Sequence, residues 1–309
     1  MKIRLGYACI SKIIDTTSSK TTTLTYYNKL DTKNKSIKID NIIKENLYNL
    51  EQIIKYNIKN NIHFFRMTAS LIPLIDIHDI DLNKYKDKFI YIGNLINESN
   101  MRVDVHENEY CVLNSINAEV IIKSIKMLNS LKKVMDMFNI KYNIILHIGS
   151  KSGGLNKSIN RFIETFNKLD NDLKNKIILE NDDKSYNVYQ TLRLCEKINI
   201  PMCLDIHHHY CNKCTKDINV YMERILNTYK NCRVKMHFSS PKNKKEKRSH
   251  NEYINSNDFI NFIAFLKQYD KDIDIMLEAK AKDLALVKLV YELKFKENYN
   301  FIDESSFTI

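Results

Sequence analysis

Short apolar runs alternate with longer amphipathic stretches from one end of the chain to the other. The first run covers residues 3–9. The segment 15–38 is polar, rich in Thr, Ser and Lys, and reads as a long loop. Helical spacing follows over 40–59, where Ile42, Ile43, Leu47, Leu50, Ile53 and Ile54 share one face. Further apolar runs predict strands over 63–68, 101–106, 142–147, 176–181, 201–206, 233–238 and 274–278. Between and after them, helical periodicity covers 82–98, 117–138, 158–169, 186–198, 217–229, 258–268 and 282–295. Loops are expected over 70–79 and 239–255, a flexible turn over 151–154, and a loosely ordered tail over 298–309.

Eight strands each followed by a helix, with no sign of a mixed sheet, predict an α/β fold: one (β/α)8 TIM barrel spanning 1–309. The competing architecture is an open doubly wound sheet. That fold usually carries a Gly-rich phosphate turn after its first strand, and here Gly6 stands alone.

Composition narrows this further. The 309 residues suit a single barrel, and only 5 Gly and 3 Pro argue against linkers. No stretch is apolar enough to span a membrane, and the first residues lack the apolar core of a signal peptide. The 7 cysteines have no disulfide spacing, which points to reduced thiols in a cytoplasm. Cys211-Asn-Lys-Cys214 is a lone CxxC and carries little. The net charge of +11 favours a polyanionic partner such as nucleic acid. The chain is also heavy in Ile, Asn and Lys, as an AT-rich genome would produce, so charge alone only leans that way.

The chemistry lies at the strand ends. A barrel gathers the C-terminal ends of its strands around one mouth. The predicted strands end in His106, His147, Glu180, Asp205 with the run His207-His208-His209, His237 and Glu278. His78 and His250 sit in loops that can reach the same place. One histidine at a strand end is more often a satisfied rim residue. Six consecutive strands ending in His, Asp or Glu are not explained that way, because such carboxylates repel and resist burial unless cations neutralise them. Mixed imidazole and carboxylate donors suit Mn2+, Zn2+ or Fe2+, and there are too many for one ion, so two or three are implied. Lys235 lies two residues before His237 on the same face of its strand. It is expected to be neutral, to contact substrate phosphate, or to be carboxylated and become a ligand.

Several stretches resemble the ultraviolet-damage endonucleases, relatives of the endonuclease IV barrels. They are Ile3-Arg-Leu-Gly-Tyr7, Phe65-Arg-Met-Thr68 through Leu71-Ile-Pro73 with His78, Arg102-Val-Asp-Val-His106 with Leu113-Asn-Ser115, Leu146-His-Ile-Gly149, Leu179-Glu-Asn181, Leu204-Asp-Ile-His-His208, Val234-Lys-Met-His-Phe238, Arg248-Ser-His250 with Tyr253, and Met276-Leu-Glu-Ala-Lys280. They run in the same order over most of the chain. The resemblance implies one metal on His106, His147 and Glu180, a second sharing Glu180 with Asp205, His237 and Glu278, and a third on His208 and His250. It places a carboxylated lysine at Lys235 and a nearby residue or ligand at His78. Strand alternation alone would pair His207 with Asp205, whereas the family spacing picks His208. The family's helix-probing pair falls at Glu109 and Tyr110, where Glu109 replaces the usual Gln. Tyr7 falls on a lesion-contacting tyrosine, and Ser11 stands where some members have Asn.

The activity implied is a nick immediately 5′ to a distorting lesion such as a pyrimidine dimer, leaving a 3′-hydroxyl and a 5′-phosphate. Glu180, Glu278 and Lys235 would be catalytic, with Mn2+ the expected ion. Lys242, Lys244, Lys245, Lys247, Arg248 and Lys280 would hold backbone phosphates of duplex DNA, with the protein a monomer. The alternatives are an abasic-site endonuclease, a sugar isomerase or epimerase on the same barrel, and a nucleic-acid-binding barrel without catalysis. Neither the His excess nor the basic 239–255 loop is explained by a neutral sugar, and a non-catalytic barrel would not keep every ligand position filled.

Overall fold

The apolar runs become strands that close on themselves. The computed structural model describes residues 1–230 and 232–309. Its parallel strands are β1 (Lys2–Ala8), β2 (Phe64–Met67), β3 (Arg102–His106), β4 (Tyr142–His147), β5 (Ile177–Glu180), β6 (Met202–Asp205), β7 (Val234–Phe238) and β8 (Ile273–Leu277). They pair in chain order, and β1 closes the ring by pairing with β8 at Ile3↔Ile273 and with β2 at Gly6↔Phe64. A Cβ on Gly6 would lie 2.4 Å from the Phe64 carbonyl oxygen, so this crossing needs glycine. The doubly wound alternative is excluded by the closure. Among the described residues no helix is long and apolar enough to cross a membrane.

The barrel is wrapped by α1 (Thr32–Lys59), α2 (Lys86–Glu98), α3 (Ala118–Asp136), α4 (Leu155–Asn167), α5 (Val188–Ile198), α6 (Asn219–Asn227), α7 (Ser256–Lys267) and α8 (Asp283–Lys296). Short polar side chains start several of them. Asp31 caps α1 through the Asn34 amide, and Asn187 forms a capping box with Gln190 at α5. Asn199 ends α5 in the left-handed conformation. Alternate strand residues such as Ile3, Leu5, Phe65 and Val103 are buried in the main hydrophobic core, which the strands share with these helices.

Three expectations need correction. The polar segment 15–38 is not one loop. It holds the second strand of a hairpin (Thr16–Thr17, paired with Ile10–Ser11), a short helix (Leu24–Asn28) and the first turns of α1, which begins eight residues before the predicted start at 40. The Asp31 cap starts α1 where solvent-facing polar residues hide the periodicity. The tail is ordered: β9 (Asn300–Phe301) and β10 (Ser306–Thr308) form a hairpin, and β10 pairs antiparallel with β1 at Lys2↔Thr308. Phe307 is buried there. The histidine run is not a strand tip but a helical turn (Ile206–Cys211), capped by Asp205 accepting from the His208 amide at 2.7 Å.

The lumen is layered, and its layers are charged. At the base, buried Asp274 accepts from Arg4, Arg102 and Arg233 at 2.6–3.1 Å. One layer up, Lys235 Nζ lies 2.7 Å from Asp104 Oδ2, both fully buried. The top layer holds the strand-end ligands.

Candidate metal centre

Glu180 ends β5 and is buried at the centre of the mouth. Its two carboxylate oxygens face different partners. Oε2 lies 3.0 Å from His106 Nε2 and 4.0 Å from His147 Nε2. Oε1 lies 3.0 Å from His237 Nδ1 and 3.2 Å from His208 Nδ1. Ligand atoms of His106, His147 and Glu180 all fall within 4.8 Å of one another, and so do those of Glu180, Asp205 and His237. The remaining acid, Glu278, reaches His237 Nδ1 at 3.2 Å through one oxygen and His250 Nε2 at 3.8 Å through the other.

Neighbouring groups aim these donors. The His106 Nδ1 proton is held by the Glu107 carbonyl at 2.6 Å, which leaves Nε2 to face Glu180. Asn181 exchanges two 2.9 Å hydrogen bonds with the Asp205 backbone, and its own carbonyl lies 3.0 Å from His208 Nδ1. The helical turn after Asp205 explains why His208 rather than His207 faces the acids. Successive positions on a helix diverge by about 100°, so only one of the three imidazoles can point at Glu180. His207 packs against the His250 ring, with centroids 5.5 Å apart, and His209 against Tyr210.

The pocket is electrostatically incomplete without cations. His237 is fully buried, and neither ring nitrogen has a hydrogen bond of acceptable angle, although Glu180 and Glu278 stand close. Asp205 Oδ2, His147 Nδ1 and His250 Nδ1 are likewise buried without partners. Burial together with Glu180 and Glu278 pushes the Asp205 carboxyl up, despite opposing help from His208. Burial would raise Glu180 too, but His237, His147 and the bonds from His106 and His208 hold it well below the carboxylate range. At His208 burial acts downward, yet Asp205 and Glu180 push the imidazole up to about 11, so positive charge is wanted here. Burial lowers His106 and His237, which favours the neutral imidazole that binds metals. Orphaned nitrogens facing buried carboxylates fit a group of divalent cations.

The structure therefore brings together His106, His147, Glu180, Asp205, His208, His237, His250 and Glu278. Two other candidates have different immediate neighbours. His78 packs on the Tyr27 ring at 4.7 Å, and its buried Nε2 has no hydrogen-bond partner among the described residues. Lys235 sits one layer lower, its Nζ 2.7 Å from Asp104 Oδ2 and 5.6 Å from the centre of the Phe64 ring.

The nucleic-acid candidates divide similarly. Tyr110 is 75% exposed on the loop after β3, with Glu109 exposed beside it. Lys242, Lys244, Lys245, Lys247, Arg248 and Lys280 are all exposed at the mouth side of β7 and β8. Lys242 is engaged by Glu246 and Arg248 by Asp183, leaving Lys244, Lys245, Lys247 and Lys280 without a carboxylate within 4 Å among the described residues. Tyr7 is a correction. Arg4, Gly6 and Ala8 take the lumen face of β1, so Tyr7 points outward into the helix layer, where Asn57 of α1 accepts its hydroxyl proton at 2.7 Å. Ser11 is also buried, donating to Asp283. Neither can touch DNA from there.

Sequence reasoning missed Arg66. Its guanidinium lies in the mouth and is bonded to Glu278. The alternation of β2, with Phe64 and Arg66 on the lumen face, is the signal that marks it.

Comparison with known proteins bears on this centre. A family model described as UV-endonuclease UvdE matches residues 3–307. A protein named UV DNA damage endonuclease from Bacillus cereus (strain B4264) is 33% identical over 301 residues, 95% of each chain. The solved structure of SacUVDE superposes with a TM-score of 0.85 at 30% identity, covering 95% of this chain and 98% of that one. Endonuclease IV from Thermus thermophilus gives a TM-score of 0.58 at 12% identity, covering 94% and 99%. The last is a likeness of fold alone.

Proposed function

Because the chain belongs to the UV-endonuclease UvdE family and is an endonuclease of damaged DNA, we propose that it is a metal-dependent enzyme that nicks duplex DNA immediately 5′ to ultraviolet photoproducts and other distorting lesions. The products are a 3′-hydroxyl and a 5′-phosphate. The observation that carries this reading is the split of Glu180 between two ligand sets, His106 with His147 on one oxygen and His237 with His208 on the other. A carboxylate so placed is suited to bridging.

The residues that would hold the ions are His106, His147 and Glu180; Glu180, Asp205, His237 and Glu278; and His208 with His250. Two or three divalent cations, Mn2+ first and Zn2+ or Fe2+ next, would supply Lewis-acid polarisation of the phosphodiester and a lowered pKa for an attacking water. The protein itself contributes position and charge. Glu107 and Asn181 orient the ligands, and Arg66 fixes Glu278. Lys244, Lys245 and Lys247 attract the backbone through an electrostatic term that weakens with salt. Tyr110, exposed on the rim, is available to enter the helix beside a lesion, where weakened stacking lowers the energy of flipping. A monomer suffices, since one chain supplies every residue named.

The test counts bound metals in purified protein, then offers Mn2+ and duplexes carrying a pyrimidine dimer, an abasic site or no lesion. Incision of the dimer duplex on its 5′ side is expected. A metal-loaded protein that leaves the dimer intact would sink the reading, and incision at the abasic site alone would replace it with an abasic-site endonuclease.

A further inference from the structure

Resting on that reading of the site, we propose that Lys282 is a substrate-phosphate-binding residue, its ammonium donating to a non-bridging phosphodiester oxygen on the β8–β1 side of the centre. Nothing in the ligand pattern required it, and it lies four residues beyond Glu278.

The backbone is the first observation. Lys282 has φ 55° and ψ −122°, a conformation that disfavours any residue with a Cβ. Glycine would adopt it freely. The chain carries a lysine instead, so the side chain has a use beyond the turn.

The second observation is how firmly this turn is held. On one side the Lys280 and Ala281 amides donate to the Asn251 and Glu252 carbonyls, each at 3.0 Å, which ties the turn to the loop carrying His250. On the other side buried Asp283 accepts from the Lys12 amide at 2.7 Å and from the Ser11 hydroxyl, which ties it to the loop after β1. A lysine between two such clamps is a placed cation rather than a surface one.

The third observation is what surrounds the ammonium. Lys282 is half-buried, and no carboxylate lies within 4 Å of it among the described residues. The titratable groups acting on it are Cys9, Arg66, Glu278 and Lys12. Glu278 is already bonded to Arg66, and the Lys282 ammonium has no carboxylate partner of its own among the described residues. Burial pulls it below the ordinary lysine range, with Arg66 adding to that and Cys9 and Glu278 opposing. A partly desolvated cation with no partner, beside a metal centre on a phosphodiesterase, matches an anionic oxygen of the substrate.

Lys282→Gln tests this in the full-length protein. Its incision of the dimer duplex should fall about 100-fold, with bound metal and thermal midpoint unchanged. Lys282→Arg should recover part of the rate. Lys282→Gly, which relieves the turn and so folds at least as well, should be as slow as Lys282→Gln. The second readout is binding, measured by fluorescence anisotropy in a Glu180→Gln background. Lys282→Gln should reduce the slope of log affinity against log salt by about one. A methylphosphonate at the contacted linkage should weaken binding by the Lys282 protein but not by its Gln counterpart. Wild-type incision by Lys282→Gln, or identical methylphosphonate profiles for both proteins, overturns the proposal. If neither protein cuts any lesion, the functional reading fails instead, and the binding comparison still decides Lys282.

Discussion

The pairing of Lys235 with Asp104 makes a demanding prediction. Both groups are fully buried, 2.7 Å apart. Lys235→Met removes the ammonium but leaves the carboxylate in the lumen, where its remaining charged partner is Arg102, with Nε at 3.6 Å. Breaking one side of a buried pair costs about 3–5 kcal/mol. Because Arg102 stays, the lower end applies, about 3 kcal/mol. With an unfolding entropy of roughly 2 cal/mol/K per residue, a chain of this length should lose about 5 °C in its midpoint. Lys235→Met combined with Asp104→Leu should regain most of that, because no charge is then stranded and Arg102 keeps Asp274 at 3.1 Å. Calorimetry and urea unfolding of the four proteins measure the cycle. Burial acts to raise Asp104, but Lys235 and Arg102 outweigh it and hold it below the carboxylate range. Its contribution is therefore present above the unfolded carboxylate pKa and lost as pH falls through the folded one. A Lys235→Met effect below about 1 kcal/mol would refute the pairing. So would loss of one equivalent of metal from Lys235→Met together with a mass increase of a carboxyl group on wild-type Lys235, which would make the lysine a ligand.

Other outcomes follow from the same geometry. Glu180→Gln should lower incision at least about 100-fold and release metal, while salt-sensitive DNA binding persists, as read by gel incision, metal analysis and anisotropy. Replacing Lys244, Lys245 and Lys247 together by Ala should flatten the salt dependence of duplex binding by up to about 2.7 in slope, with unchanged unfolding. Tyr110→Ala should reduce discrimination between dimer and intact duplex without altering stability, since its ring is mostly solvated; a destabilised variant would contradict that. Burial would raise Asp274, but Arg4, Arg102 and Arg233 hold it below its ordinary range. Its stabilisation should be complete at neutral pH and disappear as pH falls below about 4. Asp274→Asn should abolish that acid-side difference in urea titrations.

Near neighbours along the chain were enough to set the local and periodic features. The alternation of apolar runs with amphipathic stretches marked all eight barrel strands and their helices. The positions of His106, His147, Glu180, Asp205, His237 and Glu278 at strand ends then followed from the topology, because a closed parallel barrel has only one C-terminal rim. Pairings between strands far apart in the chain had to wait for the folded molecule. Asp104 and Lys235 were each visible, but only closure sets them at the same height in the lumen. The two oxygens of Glu180 could be assigned to separate partners only with four other elements in place. The direction of Tyr7 depends on which face of β1 meets α1, and the order of the tail on β1 having a free position for β10. The histidine run turned helical because the Asp205 side chain caps it, and that turn, not strand alternation, selects His208. Lys282 was hidden most completely. Its meaning comes from a backbone conformation and from two clamps, Asp283 and the 251–252 carbonyls, that no spacing along the chain encodes.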